Sequence, residues 1–163
     1  MLTEQSIKIL KANGWSENRD IDIDEYRKTL KEKGFISNNY WEEVVKKYGG
    51  LYIEYYNPRY MNRRIEGGVE LEEAKNDAKG NFDFNIFELL EKDYNVKAYH
   101  GIAEMINKNF LPIGNCNYES ISLFIEQNGK VYMFMDGEIL DEYESVDDLL
   151  NKEFIRTFAE VIE

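Results

Sequence analysis

Apolar residues recur at helical spacing in three segments of the first 50 residues, and each segment ends at glycine. The clearest segment carries an i, i+3, i+4, i+7 stripe that a Gly-Gly pair ends, formed by Trp41, Val44, Val45 and Tyr48. Residues suited to N-capping precede the three stripes, namely Thr3, Asp22 or Asp24, and Ser37 or a following Asn. The pattern therefore predicts three N-terminal helices.

Residues 51–56 alternate between apolar and polar positions, which predicts a strand that Pro58 ends. Residues 57–83 carry the weakest pattern, with a possible strand over residues 69–71, and we expect a long excursion here. Two further helical stripes follow, the first with Ile86, Leu89, Leu90 and Tyr94 and the second with Ile102, Met105 and Ile106.

From Phe110 onward the pattern changes to short strands, over residues 110–113, 120–126, 130–135 and 138–142. Asn128-Gly129 and Asp136-Gly137 are dipeptides that favour two-residue hairpins, in which both central residues need positive φ. Ser145, with Asp148 three residues later, opens a final helix whose stripe continues through Phe154, Phe158, Val161 and Ile162.

This order of elements predicts one α+β domain over residues 1–163. We expect a single central sheet, mixed or antiparallel, whose C-terminal part is an antiparallel meander. Three N-terminal helices and a C-terminal helix flank it.

Composition narrows the possible partners. The chain has 20 basic and 32 acidic residues, a formal charge of −12, which argues against direct binding to nucleic acid. Hydrophobic residues make up 43% of it, so the chain folds, yet no apolar run suits a signal peptide or a membrane span. Its one cysteine is typical of a reducing compartment, and we expect a cytoplasmic protein with no membrane partner.

The chain has none of the common motifs for phosphate binding, dinucleotide binding, serine hydrolysis or zinc proteolysis. His100 is the only histidine and Cys116 the only cysteine, and a nucleophilic dyad of the two is left open because catalytic partners need only be near in space. The spacing of an EF-hand is absent. We predict a protein with no catalytic residue, no cofactor and no metal, with a small Cys-dependent hydrolase as an alternative.

Acidic residues concentrate near the C-terminus. Residues 1–50 hold nine basic and nine acidic side chains, whereas residues 136–153 hold eight acidic side chains and one basic. Such a run is either a solvated face or a docking surface for a basic partner. For the second reading the candidate contacts are Glu138, Asp141, Glu142, Glu144, Asp147 and Asp148, with Tyr52 and Tyr56 as neighbouring aromatic contacts.

Ordered landmarks span nearly the whole chain: Gly14-Trp15, Arg19, Tyr48-Gly49-Gly50-Leu51, Leu111-Pro112-Ile113-Gly114 and Asn128-Gly129-Lys130-Val131-Tyr132. In their order and spacing these landmarks resemble the SUKH superfamily of bacterial immunity proteins, in particular its third branch. The resemblance implies a central sheet of about six strands flanked by helices. It also implies a non-catalytic cytoplasmic antidote to a secreted or contact-delivered toxin, often a nuclease or deaminase.

The resemblance further implies structural roles for the matching positions. Trp15 and Leu51 would lie in the core, Arg19 would form an ion pair, and the glycines would serve in turns or caps: Gly14, Gly49, Gly50 and Gly114. Toxin-contacting residues are not part of the shared pattern. We therefore predict an immunity protein that binds a basic, nucleic-acid-targeting toxin domain, with a regulatory scaffold of the same fold as the alternative.

Overall fold

The computed structural model describes residues 1–56, 63–77, 79–87, 110–118 and 120–158. Within them one sheet forms from six strands, β1 (Tyr52–Tyr56), β2 (Lys79–Asp83), β3 (Leu111–Cys116), β4 (Ile121–Ile125), β5 (Val131–Met135) and β6 (Glu138–Tyr143). Each strand pairs antiparallel with the next, so β1 and β6 are the edges of the described sheet. The predicted α+β architecture is confirmed, in its antiparallel form.

The described helices are α1 (Glu4–Ala12), α2 (Asp24–Glu32), α3 (Asn39–Tyr48), α4 (Leu71–Asp77) and α5 (Val146–Phe158). The three N-terminal helices and the C-terminal helix are confirmed. Thr3 caps α1 and Asn38 caps α3, each side chain accepting a hydrogen bond from a backbone N–H three residues on. α2 begins after Ile23 without a side-chain cap, although Asp22 Oδ1 accepts a bond from the N–H of Asp24.

In the stretch of residues 57–83, the described structure differs from the one that the sequence pattern predicts. Residues 63–66 are helical and α4 begins at Leu71, so the possible strand over residues 69–71 is wrong. Glu72 and Glu73 lie in the first turn of α4, where acidic side chains favour a helix start, and Ala74 is buried beneath it. β2 also lies in this stretch and was not predicted.

Several predicted positions lie outside the described residues. Residues 86–87 are helical, in keeping with the stripe that begins at Ile86. Three parts of the predicted stripes lie outside the described residues: the rest of the stripe from Ile86, the whole of the next stripe, and the end of the C-terminal stripe. Their residues are Leu89, Leu90, Tyr94, Ile102, Met105, Ile106, Val161 and Ile162.

The two predicted hairpins form with different turns. Asp136 and Gly137 both have positive φ, 51° and 86°, as the two-residue turn requires. At the other hairpin only Gly129 has positive φ, and Glu126 N–H bonds to the carbonyl of Lys130 across a three-residue loop. Asn128 Oδ1 accepts the N–H of Lys130, a local bond that favours this loop over the predicted two-residue turn.

One face of the sheet packs against the helices and forms the main core. Ile53 pairs with Phe82 on this face, and Leu123 pairs with Met133 further along it. Trp41 on α3 is fully buried and its Nε1 donates to the carbonyl of Pro112 at 2.9 Å, which fixes α3 against β3. The opposite face carries a smaller cluster of Phe110, Phe124 and Phe134, with Tyr132 against it.

The structural roles implied for the landmarks hold at most positions. Trp15 and Leu51 are buried in the core as expected. Arg19 is an exception, because it donates from Nη2 to the carbonyl of Gly49 at 2.8 Å and makes no ion pair with any described residue. That carbonyl ends α3 and lacks a partner within the helix, so the guanidinium satisfies a helix end instead of a carboxylate.

Gly114 lies at a break in register between β3 and β4, not at a turn. A Cβ added there would overlap the carbonyl oxygen of Asp83 on the adjacent strand β2. The close approach of two backbones therefore requires glycine at this position.

We expect Gly114→Ala to lower the free energy of unfolding by about 1–3 kcal/mol, because the backbone at Asp83 cannot move without disturbing the pairing of β2 with β3. Gly67→Ala is the matched control, since the nearest atoms to a Cβ there lie at 3.4 Å. Its change should stay within about 0.5 kcal/mol. Urea unfolding followed by circular dichroism measures both, and equal stabilities would contradict the assignment.

Candidate functional site

The six candidate carboxylates lie along the β6 edge of the sheet and the start of α5. Three are on β6, one is in the connection, and two are in the first turn of α5; we call this set the acidic segment: Glu138, Asp141, Glu142, Glu144, Asp147 and Asp148. The structure thus brings together the residues that the charge run singled out. Their surroundings differ, however, and the differences separate structural from exposed carboxylates.

Asp147 is a structural carboxylate. Its Oδ1 accepts a hydrogen bond from the Tyr48 hydroxyl at 2.7 Å and lies 3.2 Å from Lys47 Nζ, while the amino group of Met1 lies 3.7 Å from its Oδ2. Burial, together with the neighbouring Asp147 carboxylate, raises the pKa of Tyr48 well above its usual range. The hydroxyl therefore stays protonated and donates to Asp147.

Asp148 completes the predicted start of α5. Its N–H donates to Ser145 Oγ at 3.0 Å, and its Oδ2 accepts the N–H of Glu144 and lies 3.0 Å from Lys152 Nζ. Partial burial raises its pKa, but these two donors outweigh burial and the net pKa is below the usual value. Ser145 and Asp148 thus satisfy backbone donors at the helix start, as their spacing predicted.

Asp141 is also tied into the fold. It is half-buried, its Oδ1 accepts the N–H of Glu142, and its Oδ2 lies 3.2 Å from the Tyr143 hydroxyl. The same hydroxyl lies 2.7 Å from Glu153, so Tyr143 links β6 to α5. The carboxylate of Asp141 is therefore less available to a partner than those of Glu138 and Glu142.

Three members of the acidic segment are exposed, and we call them the exposed carboxylates: Glu138, Glu142 and Glu144. The side chains of Glu138 and Glu142 have no ion-pair or hydrogen-bond partner among the described residues. Glu144 lies 3.8 Å from Lys130, a contact at the surface that holds it only weakly. Glu138 and Glu142 can therefore meet a basic partner without breaking a contact with any described residue, and Glu144 can do so by giving up one weak surface contact.

The exposed carboxylates affect the neighbouring strand. Glu142 pairs in register with Tyr132, whose hydroxyl donates to Glu126 Oε2 at 2.8 Å. Burial, the bond to Glu126 and the charges of Glu142 and Glu144 together raise the pKa of Tyr132 to about 12. The charges of Glu142 and Glu144 thus act on Tyr132 of β5, although burial and Glu126 contribute more to its raised pKa.

Ile139 and Leu140 are exposed aliphatic residues within the same strand. Ile139 is 53% and Leu140 46% exposed, and the register shifts between β5 and β6 at this point. The charge pattern of the sequence does not single them out. Two consecutive aliphatic residues between Glu138 and Asp141 break strand alternation, and that break is the signal that would have found them.

The structure does not place the two candidate tyrosines beside the acidic segment. Tyr52 and Tyr56 are exposed on β1, the opposite edge of the six-stranded sheet. Five strand spacings separate β1 from β6, roughly 24 Å. Near Tyr52 a further exposed tyrosine, Tyr118, has a left-handed backbone and a hydroxyl 3.4 Å from Glu54.

The structure describes only one of the two residues of the dyad left open by the sequence. Cys116 is buried in β3, and burial together with the charge of Glu153 raises the pKa of its thiol far above the usual value. His100 lies outside the described residues. Within the described ranges no three His, Cys, Asp or Glu side chains are placed to hold a metal ion, and no helix is long and apolar enough to cross a membrane.

The chain matches the model of a known protein family. The family model described as SUKH-3 immunity protein matches residues 2–150, a range that contains all six described strands and the whole acidic segment. No curated protein and no solved structure matches the chain.

Removal of Asp147 tests the division between structural and exposed carboxylates. We expect Asp147→Ala to lower the free energy of unfolding by about 1–3 kcal/mol, because the buried Tyr48 hydroxyl loses its acceptor. Glu142→Ala, which removes an unpartnered carboxylate, should change it by less than about 0.5 kcal/mol. Urea titration measures both. The loss at Asp147 should shrink in a Tyr48→Phe background, and an undiminished loss would contradict the role of this bond.

The thiol of Cys116 should be inert in the folded protein. We expect an aromatic disulfide reagent at pH 8 to leave native Cys116 unmodified, because the thiol is buried and protonated there. The same reagent should titrate one thiol per chain in denaturant. Reaction of the native protein at the rate of a free cysteine would instead revive the hydrolase alternative.

Proposed function

Since the chain belongs to the SUKH-3 immunity protein family, we propose that it neutralises a cognate secreted or contact-delivered toxin by stoichiometric binding. In this proposal the protein covers the active site or the substrate path of the toxin and performs no chemistry itself. The buried and protonated thiol of Cys116 supports binding over the hydrolase alternative.

The observation that carries the proposal is the set of three exposed carboxylates at the β6 edge: Glu138, Glu142 and Glu144. A protein that acts on nucleic acid uses Lys and Arg to hold phosphates, so its substrate path has positive potential. Carboxylates that make no strong contact with the described residues of their own fold can enter such a path at low cost. We therefore propose a toxin with a basic site, a nuclease or a deaminase.

The proposed place of action is the cytoplasm, where a nucleic-acid-targeting toxin meets its substrate. The single cysteine supports this, because chains of reducing compartments do not depend on disulfides. The alternative is a regulatory scaffold of the same fold, without a toxin partner. A toxin gene beside the gene of this chain would support the immunity protein, and the absence of such a gene would support the regulatory scaffold.

Charge reversal of the exposed carboxylates tests the proposed surface. We expect Glu138→Lys, Glu142→Lys and Glu144→Lys together to slow association with the toxin encoded beside this chain by about tenfold at low salt. The difference should narrow as salt rises, because exposed charges are screened. Stopped-flow or surface plasmon resonance gives the rates, and survival of toxin-expressing cells gives the protection.

The matched control reverses three exposed carboxylates outside the acidic segment, Glu32, Glu43 and Glu70, and so changes the total charge equally. It should retain most of the association rate and protection. Asp147 and Asp148 are left intact in both sets, since their loss would disturb α5. Equal behaviour of the two triple variants would show that the exposed carboxylates form a solvated face and that the toxin binds elsewhere.

A further inference from the structure

The pairing of β5 with β6 contains one extra residue. Met133 pairs with Asp141 and the next residue, Phe134, pairs with Ile139, so Leu140 has no partner in the register. This is a β-bulge, and we call Ile139 and Leu140 the aliphatic bulge. A bulge bends its strand and re-aims its side chains.

Both side chains of the aliphatic bulge face solvent. Ile139 is 53% and Leu140 46% exposed, although regular alternation would send one of two neighbouring residues to each face of the sheet. Burial of such a pair against another surface removes apolar area from water, which is a favourable term that the chain alone does not use.

Carboxylates surround the aliphatic bulge along the strand. Glu138 precedes it, Asp141 and Glu142 follow it, and the side chains of Glu138 and Glu142 have no partner among the described residues. An apolar centre with a charged rim is the usual anatomy of a protein interface, in which central residues hold the complex and rim charges guide the encounter.

The same features disfavour binding by strand addition. β6 is an edge of the described sheet, and a bulge and acidic side chains are the devices by which proteins prevent another strand from pairing with an edge. A partner that meets β6 therefore contacts its side chains in preference to its backbone.

We propose that the aliphatic bulge is the apolar anchor of the toxin interface, seated in an apolar depression of the toxin that Lys and Arg residues border. This inference rests on the proposed function and names the residues that hold the complex once charges have guided the encounter. The occupant is the basic toxin, because the unpartnered rim carboxylates complement a positive surface.

The test compares two double variants of the full chain in binding to the toxin encoded beside it. Ile139→Ala with Leu140→Ala removes the anchor, and Ile36→Ala with Leu71→Ala removes the same atoms from residues that are 83% and 48% exposed elsewhere. We expect the anchor variant to raise Kd about thirty-fold or more, mainly through faster dissociation and with little dependence on salt. The control should stay within about twofold of wild type.

A second anchor variant separates lost contact from a weakened strand. Ile139→Thr with Leu140→Thr keeps residues that suit a strand while reducing apolar surface, and it should weaken binding as the alanine pair does. Wild-type affinity of both anchor variants would overturn the proposal, and it is the result expected if the toxin added a strand to the β6 backbone. Failure of the wild-type chain to bind the toxin would instead refute the proposed function.

Discussion

The hydrogen bond from the Tyr48 hydroxyl to Asp147 fastens the end of α3 to the start of α5 across 99 residues of sequence. A second hydrogen bond joins the same helix to the N-terminus of the chain: Asn151 Oδ1 of α5 accepts the N–H of Thr3 at 2.9 Å. Because α5 follows β6 directly, these contacts position one edge of the sheet relative to the N-terminal helices. The placement of the exposed carboxylates thus depends on Asp147, whose own carboxylate is occupied by contacts within the fold.

The acidic segment therefore has two physical origins. Asp147 and Asp148 lie at a helix N-terminus, where negative charge is favourable and backbone N–H groups need acceptors. Glu138 and Glu142 lie on an edge strand, where charge discourages pairing with other chains. Each origin explains part of the charge without a partner, so charge density alone does not identify an interface. Exposure, together with weak or absent contacts to the described residues, singles out the side chains that remain available to a partner.

Features set by local sequence were predictable, and features set by distant contacts were not. The cap at Asn38 and the turn at Asp136-Gly137 depend on neighbouring residues, and the meander follows from short turns between successive strands. β2 could not be predicted, because Phe82 is the only large apolar residue in its sequence. It also contains Gly80, which leaves room for the ring of Tyr55, a residue remote in sequence. The carboxylates followed from the charge pattern, whereas their division into structural and exposed groups depends on Tyr48, which is remote in sequence.

Polar side chains and a bulge are enough to disfavour the pairing of an edge strand with another chain. β6 has both, yet it carries two exposed aliphatic residues at the bulge itself. Glu138 and Glu142 disfavour pairing of this strand with another edge, but they attract a basic surface. The same carboxylates that protect the aliphatic bulge in the free protein would thus select the one class of partner able to cover it. In the proposed function, protection of the edge and recognition of a basic toxin would then be consistent requirements on β6.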